Sequence, residues 1–429
     1  MMVNCKINVI IKWRIINQYK GGIYMSFLNT LSDGKKMTDK VFKAAVRAKD
    51  AKRKFSNDAV VDATLGTLFT EQEQLCTFDA IWKPFKTLEP IQLAKYAGGI
   101  PGNPSYLDAV SKWLFNDTML SHKIVATPGG AGAVSSTIHN ILDPGQTLLK
   151  PSLGWGPYNT MSTEYGVNTI DYNLFKDNQF DINDLTTKMT DVMNQQGKVL
   201  AIINDPCHNP SGYTMTPQEW DALLNHVNQL AEQGPVVILH DIAYVDFSTN
   251  PNWKDHFKKY QTLHDNAMVV IAFSLSKSFT AYGTRVGAAV AVTNNLEELD
   301  KWYNAMVFSA RSTWSTVNNS IMTLFAKISN DKTLYDAYVK ERQTYIDLLK
   351  ERADIFIQEA KQVGLKHYPF TEGFFVTLSI PNDLIPPIYK RLEQNNIFTV
   401  QVNNGLRIAL CSVPKVKLKG LAKKIKNLI

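Results

Sequence analysis

The stretch FSLSKSFTAYGTRVG, Phe273 to Gly287, sets a lysine among serines at the end of an apolar run. The preceding MVVIAF, Met268 to Phe273, is continuous and apolar, the pattern of a strand buried on both faces, so Lys277 stands just past a strand end. In an open α/β sheet that is where ligands bind. Desolvation favours the neutral form of an amine, and a neutral amine attacks an aldehyde. The hydroxyls of Ser274 and Ser276 and the guanidinium of Arg285, eight residues after the lysine, suit a phosphate. Most lysines at strand ends are solvated and do nothing. An amine beside phosphate-binding groups points instead to pyridoxal phosphate.

Three further strand ends carry groups for the same ligand. In INDPCHNPSGY the strand ends at Asp205, and a turn rich in Asn, Pro and Gly follows, from which Asn209 can donate its amide to a phenolate oxygen. In VVILHDIAYVDF, Asp241 follows an apolar run, where a carboxylate needs a positive partner; a protonated pyridine nitrogen is one. Tyr244 lies three residues on, within reach of the same ring's oxygen. In TPGGAGAVSSTIHNIL two glycines run into a helical pattern beginning near Ala131, so that free N–H groups at a helix N-terminus face outward as an anion site. Singly, these are a turn residue, a helix cap and an ordinary glycine turn, and Arg407 in GLRIAL is a strand charge. Their order and coexistence carry the argument.

These residues require strands to present them. From about residue 120 to 293 short apolar runs (HKIVATPG, TLLKPS, KVLAIINDPC, VVILHDIAY, MVVIAFSLS, GAAVAVT) alternate with helix-like stretches, which implies parallel strands with helices on both faces. After roughly residue 340 the texture changes to a long amphipathic helix, YIDLLKERADIFIQEAKQVGL, then a strand (GFFVTLSI), a helix (LIPPIYKRLEQNNI) and a strand (GLRIALCSV) of a smaller α+β unit. The expected division is a large domain at residues 75–344 and a small domain built from residues 25–74 and 345–429.

Across 429 residues, 45% apolar and 20% charged composition describes an ordinary globular protein with room for two cores. The net charge of +7 is modest, and four basic residues without an acidic one (Lys6, Lys12, Arg14, Lys20) lie in the first 24 positions. No basic stripe interleaved with aromatics is present, which argues against nucleic acid as partner. Cys5, Cys76, Cys207 and Cys411 lack metal-ligand spacing and read as thiols of a reducing cytoplasm, with no metal site. The opening segment is broken by Lys12, Arg14 and Asn17, too short a run for a membrane span. It lacks a cleavage site, and Met25 opens a more ordinary sequence. Lys20-Gly21-Gly22 is what a purine-rich ribosome-binding site would encode, so residues 1–24 are expected to be translated leader; an amphipathic arm is the alternative.

The motifs CHNPSG, DIAYVDF, SLSKSFTAYGTRVG, TPGGAGA and GLRIAL resemble those of the fold-type I aminotransferases, in the branch of aspartate and aromatic amino acid aminotransferases, from about Gly66 to the C-terminus. The resemblance implies an α/β large domain with a mostly parallel sheet between helices, a smaller α+β domain, and pyridoxal 5′-phosphate. It implies that Lys277 forms the internal aldimine and shuttles a proton, that Asp241 keeps the pyridine nitrogen protonated, and that Asn209 and Tyr244 bond the ring oxygen. Ser274, Arg285, Gly130 and Ala131 would bind phosphate, Tyr96 would reach the phosphate of the partner subunit in a homodimer with shared sites, and Arg407 and Gly66 would meet the substrate. Arg311, in FSARSTWSTVNNS, matches an arginine that holds a side-chain carboxylate in the partner's site, with Trp314 nearby as an aromatic wall. The chain departs from the family in two places: PSLGWGPY is longer where an aromatic stacks on the cofactor, leaving Trp155 for that role, and Ala131 stands where many relatives have threonine. The expected reaction is transamination between aspartate or an aromatic amino acid and a 2-oxo acid, with 2-oxoglutarate as acceptor. The rivals are a β-lyase or decarboxylase on the same fold and a cofactor-sensing regulator, for which the residues before Gly66 show no helix-turn-helix pattern.

Overall fold

The computed structural model describes residues 26–37, 39–116 and 118–429. The leader expected at residues 1–24 lies outside them. The chain divides into two units, Met1–Thr38 and Asp39–Ile429. In the first, Asn29 Oδ1 accepts from the N–H groups of Leu31 and Ser32 at 3.0 and 2.9 Å and closes a turn.

The second unit is built on a seven-stranded sheet. Its strands are β1 (His122–Thr127), β2 (Thr147–Pro151), β3 (Asn168–Tyr172), β4 (Val199–Asn204), β5 (Val236–Asp241), β6 (Ala267–Ser274) and β7 (Gly287–Val292), in the spatial order β1-β7-β6-β5-β4-β2-β3. Every residue of β4 to β7 is buried. Alternation explains why these strands read as unbroken apolar runs. Val199, Ala201 and Ile203 enter one core with Val269 and Ile271, while Leu200 and Ile202 enter a second, on the other face, with Val270 and Ala272.

Strands β2 to β6 pair in parallel, but β7 is antiparallel to both β6 and β1. The sheet is mostly parallel, as expected, and β7 is its one reversed strand. The linker 275–286 holds only a one-turn helix (Leu275–Ser278) and a 3-10 turn (Tyr282–Thr284), too little to carry the chain back along the sheet.

A third core gathers Ala63 with apolar residues between Ala353 and Ile425. It packs on a small antiparallel sheet of β8 (Phe375–Ser379), β9 (Val400–Val402) and β10 (Gly405–Ala409), in the order β8-β10-β9. The long helix is one element, Lys332–Val363, not a segment starting near 345: Tyr338, Ile346 and Leu349 enter the first core, and Ala353, Phe356 and Ala360 the third. Asp331 caps its start by accepting from Leu334 N–H, and Gly364 ends it in the left-handed conformation. No helix among the described residues is long and apolar enough to cross a membrane.

His240, in β5, and His256 are packed among aromatic rings, with Trp220 4.3 Å from the His256 ring, and His208 is buried in the turn after β4. Burial pushes the His208 and His256 rings down to about 3, Lys259 adding to the effect on His256, and holds His240 well below the ordinary histidine range. Each ring takes up a proton more readily in the unfolded chain, so its stabilising effect is complete above the unfolded value near 6.5 and lost as pH falls towards the folded value. Asp205, pushed up to about 7 by burial, acts in the opposite sense over part of that range. Comparing a variant with its parent isolates one ring. His256→Phe is expected to reduce the stability lost between pH 7.5 and 5 by on the order of 2 kcal/mol in urea unfolding; an unchanged loss would mean that His256 is not neutral when folded.

Candidate active site

The carboxyl ends of β4, β5 and β6 converge on one edge of the sheet. Asp241 is the last residue of β5, paired with Asn204 in β4 and Ala272 in β6. Lys277 lies three residues beyond Ser274, the serine that ends β6, on the one-turn helix Leu275–Ser278 that Ser274 caps by accepting from Ser276 N–H at 3.2 Å. The lysine Nζ donates to Gly66 O at 2.7 Å and lies 4.7 Å from the Tyr282 ring and 5.5 Å from that of Tyr244. Burial pushes this amine down to about 8; the Arg407 and Arg285 charges press in the same direction, while Cys411 and Asp241 oppose them. A substantial fraction is therefore neutral near pH 7.5, the state that attacks a carbonyl carbon.

Asp241 is buried. Its Oδ2 accepts from Tyr158 O–H at 2.7 Å and its Oδ1 from Ala243 N–H at 3.1 Å. Burial raises its proton affinity, and these two donors and Lys277 hold part of the rise back. Asn209 sits in a turn with two cis X–Pro bonds, Asp205–Pro206 and Asn209–Pro210. Its backbone N–H donates to Asn204 Oδ1 at 2.8 Å, and its own Oδ1 accepts from Arg407 Nη1 at 3.2 Å. Tyr244 is buried beside Phe374 at 5.1 Å, and the Arg407 charge reaches it.

Arg407 comes from β10. It is buried, lies 4.4 Å over the Phe375 ring, and donates Nη2 to Thr64 O at 2.6 Å, while its Nε–H has no partner among the described residues. A buried guanidinium with a free donor is suited to a carboxylate.

Arg285 adopts a left-handed backbone and donates to Ser276 Oγ (3.1 Å), Tyr282 O (2.9 Å) and Pro128 O (3.4 Å). The last bond brings it to the start of the helix Gly129–Ile141. Gly129 has φ +71°, and a Cβ there would stand 2.6 Å from Arg285 Nη2; one on Gly130 would stand 3.2 Å from Ser274 Cβ. Glycine thus lets the helix N-terminus, with Gly130 and Ala131, close on Arg285 and Ser274, and so forms an anion cradle. The residues present fit a phosphorylated pyridine aldehyde: cradle, amine and carboxylate face one sheet edge. No group of His, Cys, Asp or Glu among the described residues is arranged to hold a metal ion.

The structure therefore brings together Lys277, Asp241, Asn209, Tyr244, Ser274, Arg285, Arg407, Gly66, Gly130 and Ala131. Trp155 is half-buried, edge-on to Tyr158 at 5.4 Å, at the start of the helix Pro157–Glu164. Two residues stand apart. Tyr96 is 87% exposed, and Arg311 is exposed and donates to Ser315 Oγ. Sequence reading passed over Tyr158, Thr64, Tyr282 and Phe375. It also missed Glu372, a buried carboxylate that accepts from Thr214 Oγ1 and Ser248 Oγ, both at 2.8 Å, and from Thr249. Each is marked by a partner far along the chain, such as Asp241 for Tyr158 and Arg407 for Thr64 and Phe375, and leaves no local signal.

The chain is similar to known aminotransferases in sequence and fold. An aromatic-amino-acid aminotransferase of Pseudomonas aeruginosa is 27% identical over 219 residues, 50% of this chain and 53% of that one, so the match spans about half the length of the curated relative. The crystal structure of an aminotransferase from Anaerococcus prevotii superposes with a TM-score of 0.90 at 29% identity, covering 94% of this chain and 99% of that one. An aromatic-amino-acid aminotransferase from Burkholderia pseudomallei, covalently bound to pyridoxal phosphate, shares the fold with a TM-score of 0.76 at 18% identity, covering 94% of this chain and all of that one. The model of the aminotransferase class I and II family matches residues 64–425, and this chain, with an α/β fold of the fold-type I kind, belongs to that family.

Proposed function

We propose that the chain transfers an amino group between an L-amino acid and a 2-oxo acid, with pyridoxal 5′-phosphate as cofactor. The observation that carries the reading is the desolvated Lys277 amine at the end of β6, with Asp241, Arg285 and Arg407 close enough for their charges to act on it. Bound here, pyridoxal phosphate supplies an aldehyde that condenses with amines and a protonated ring that draws electrons from the substrate α-carbon. Arg285, Ser274 and the N–H groups of Gly130 and Ala131 hold the phosphate. Asp241 would hold the proton on the ring nitrogen, Asn209 and Tyr244 would bond the ring oxygen, and Trp155 would cover the ring. Arg407 orients the substrate α-carboxylate beside Gly66, and Lys277 Nζ takes the proton from the α-carbon.

The large part at residues 75–344 and the small part at residues 25–74 and 345–429 are supported by the third core, whose buried residues are Ala63 and residues between 353 and 425. A homodimer with shared sites is supported by the outward-facing Tyr96 and Arg311. A reducing cytoplasm is supported by the buried free thiols Cys76, Cys207 and Cys411.

The test is a half-reaction. The yellow cofactor-loaded protein, mixed with one amino acid and no oxo acid, is expected to lose its visible absorbance and stay bleached until 2-oxoglutarate is added; spontaneous return of the colour would indicate a lyase. Lys277→Ala is expected to retain the cofactor and lose about a thousandfold or more in turnover. Substantial turnover by that variant would remove the assigned role.

The amine itself can be titrated. With the cofactor removed, labelling of Lys277 by an amine reagent, followed by peptide mass spectrometry, is expected to rise with a midpoint near 8. Arg407→Met removes a positive charge that disfavours the ammonium form and is expected to raise that midpoint; a fall would contradict the assigned geometry.

Substrate choice rests on Arg311. If its planar fork reaches the partner's site, it binds a second carboxylate and favours aspartate, glutamate and their oxo acids, with Trp314 offering a wall for aromatic donors. Arg311→Leu is then expected to cost dicarboxylate substrates about 2–5 kcal/mol in kcat/KM while sparing phenylalanine and tyrosine. Equal losses on both classes would rule out Arg311 as the specificity residue.

A further inference from the structure

We propose that Tyr158 is a positioning residue that keeps the Asp241 carboxylate ionised and fixed in orientation for the cofactor's ring nitrogen. The proposal rests on the pyridoxal phosphate reading above and concerns a residue outside the cofactor-contact set. Asp241 lies at the end of a strand buried on both faces, where an anion without donors is expensive. Each of its oxygens has one donor among the described residues: Ala243 N–H on Oδ1 and Tyr158 O–H, at 2.7 Å, on Oδ2. The two bonds fix the carboxylate plane and leave its remaining lone pairs for a ring N–H.

The phenol is itself held. Tyr158 is 1% exposed, packs in the core that includes Leu200, Ile202 and Leu239, and stands edge-on to Trp155 with interplanar angle 87°. Its backbone carbonyl accepts from Ser162 Oγ at 2.9 Å one turn later. Burial, and then the Asp241 charge, push its proton affinity well above the ordinary phenol range, so it stays a donor. The turn in which Tyr158 N–H donates to Trp155 O at 3.1 Å, at the entry to the helix Pro157–Glu164, therefore sets two things together, the ring assigned to cover the cofactor and the donor that orients its counter-ion. Besides Tyr158, Lys277 bears on the Asp241 charge, and Tyr172 and Tyr244 face Tyr158 as neutral phenols.

Removing the hydroxyl leaves Oδ2 without its donor in apolar surroundings. Asp241 then takes up a proton at higher pH and ceases to be the anion that a ring N–H needs. The affinity of cofactor-free protein for pyridoxal phosphate is measured by quenching of tryptophan fluorescence at pH 6.5 and 8.5, for wild type and Tyr158→Phe. The variant is expected to bind about tenfold more weakly at pH 6.5, the scale of one hydrogen bond to a charged group, and with a smaller deficit at pH 8.5. In the loaded protein kcat is expected to fall while KM for the amino acid stays within about threefold. A deficit equal at both pH values would show a packing effect only and overturn the proposal, as would affinity equal to wild type at both. A wild type that neither binds pyridoxal phosphate nor transaminates would overturn the functional reading along with it, whereas a working wild type with an unaffected variant overturns the Tyr158 proposal alone.

Discussion

The register of three parallel strands is the constraint from which the site follows. Asn204 pairs with Asp241, and Asp241 with Ala272, so the last polar residues of β4 and β5 and the serine two residues further along β6 arrive at one edge together. Because both faces of these strands are buried, a slip of one residue would exchange the contents of two cores, and that cost locks the register. Asn204 then completes the edge. Its Nδ2 donates to Asp241 O at 2.8 Å and its Oδ1 accepts from Asn209 N–H at 2.8 Å, satisfying backbone groups where the ladder ends. The chemistry-bearing residues are precise in position because the apolar residues beneath them have no freedom.

The charged groups at that edge are held by neutral dipoles. Lys277 donates to the Gly66 carbonyl, Arg407 to the Thr64 carbonyl and the Asn209 amide, and Asp241 accepts from a phenol and a backbone N–H. The distinction matters for binding. Removing one member of a buried ion pair leaves an uncompensated charge at a cost of about 3–5 kcal/mol. Exchanging a neutral carbonyl for a substrate carboxylate instead converts an ordinary hydrogen bond into a charge-assisted one, roughly twice as strong. Ionic pairing is kept for sites that do not turn over: Asp246, buried, meets Lys254 at 3.0 Å and Arg342 at 3.2 Å, and against the burial that would raise it these cations hold its proton affinity low.

What could be read from the sequence follows from the same physics. Lys277 and Asp241 were legible because each follows an apolar run that marks a strand of a buried sheet, and the groups near the other strand ends suit the same ligand. The anion cradle was legible as glycines before a helix, although its necessity shows only in space, where Arg285 occupies the volume a Gly129 side chain would need. The antiparallel β7 was hidden because apolar runs do not record direction; only the brevity of the 275–286 linker does. Tyr158 and Glu372 were hidden because each is defined by partners far along the chain, Asp241 for one and Thr214, Ser248 and Thr249 for the other. Local pattern cannot carry that information.

The segment 64–71 shows how distant parts are made to agree. Thr64 O receives Arg407 and Gly66 O receives Lys277, while Leu68 N–H donates to Tyr282 O–H at 2.9 Å. Arg352, wholly buried on the long helix, ties the far end by donating to Phe69 O at 2.9 Å and to Glu71, and reaches Cys411 O just beyond β10. One strap therefore fixes the amine from β6 relative to the guanidinium from β10. Gly66 is required at its centre for steric reasons: a Cβ there would stand 2.6 Å from the Phe375 ring, the same ring that Arg407 lies over at 4.4 Å. Any side chain at position 66 would have to push Phe375 away or lift the carbonyl from Lys277. Either movement would reach Arg407 or Lys277, so the spacing between the buried guanidinium and the buried amine depends on a residue with no side chain.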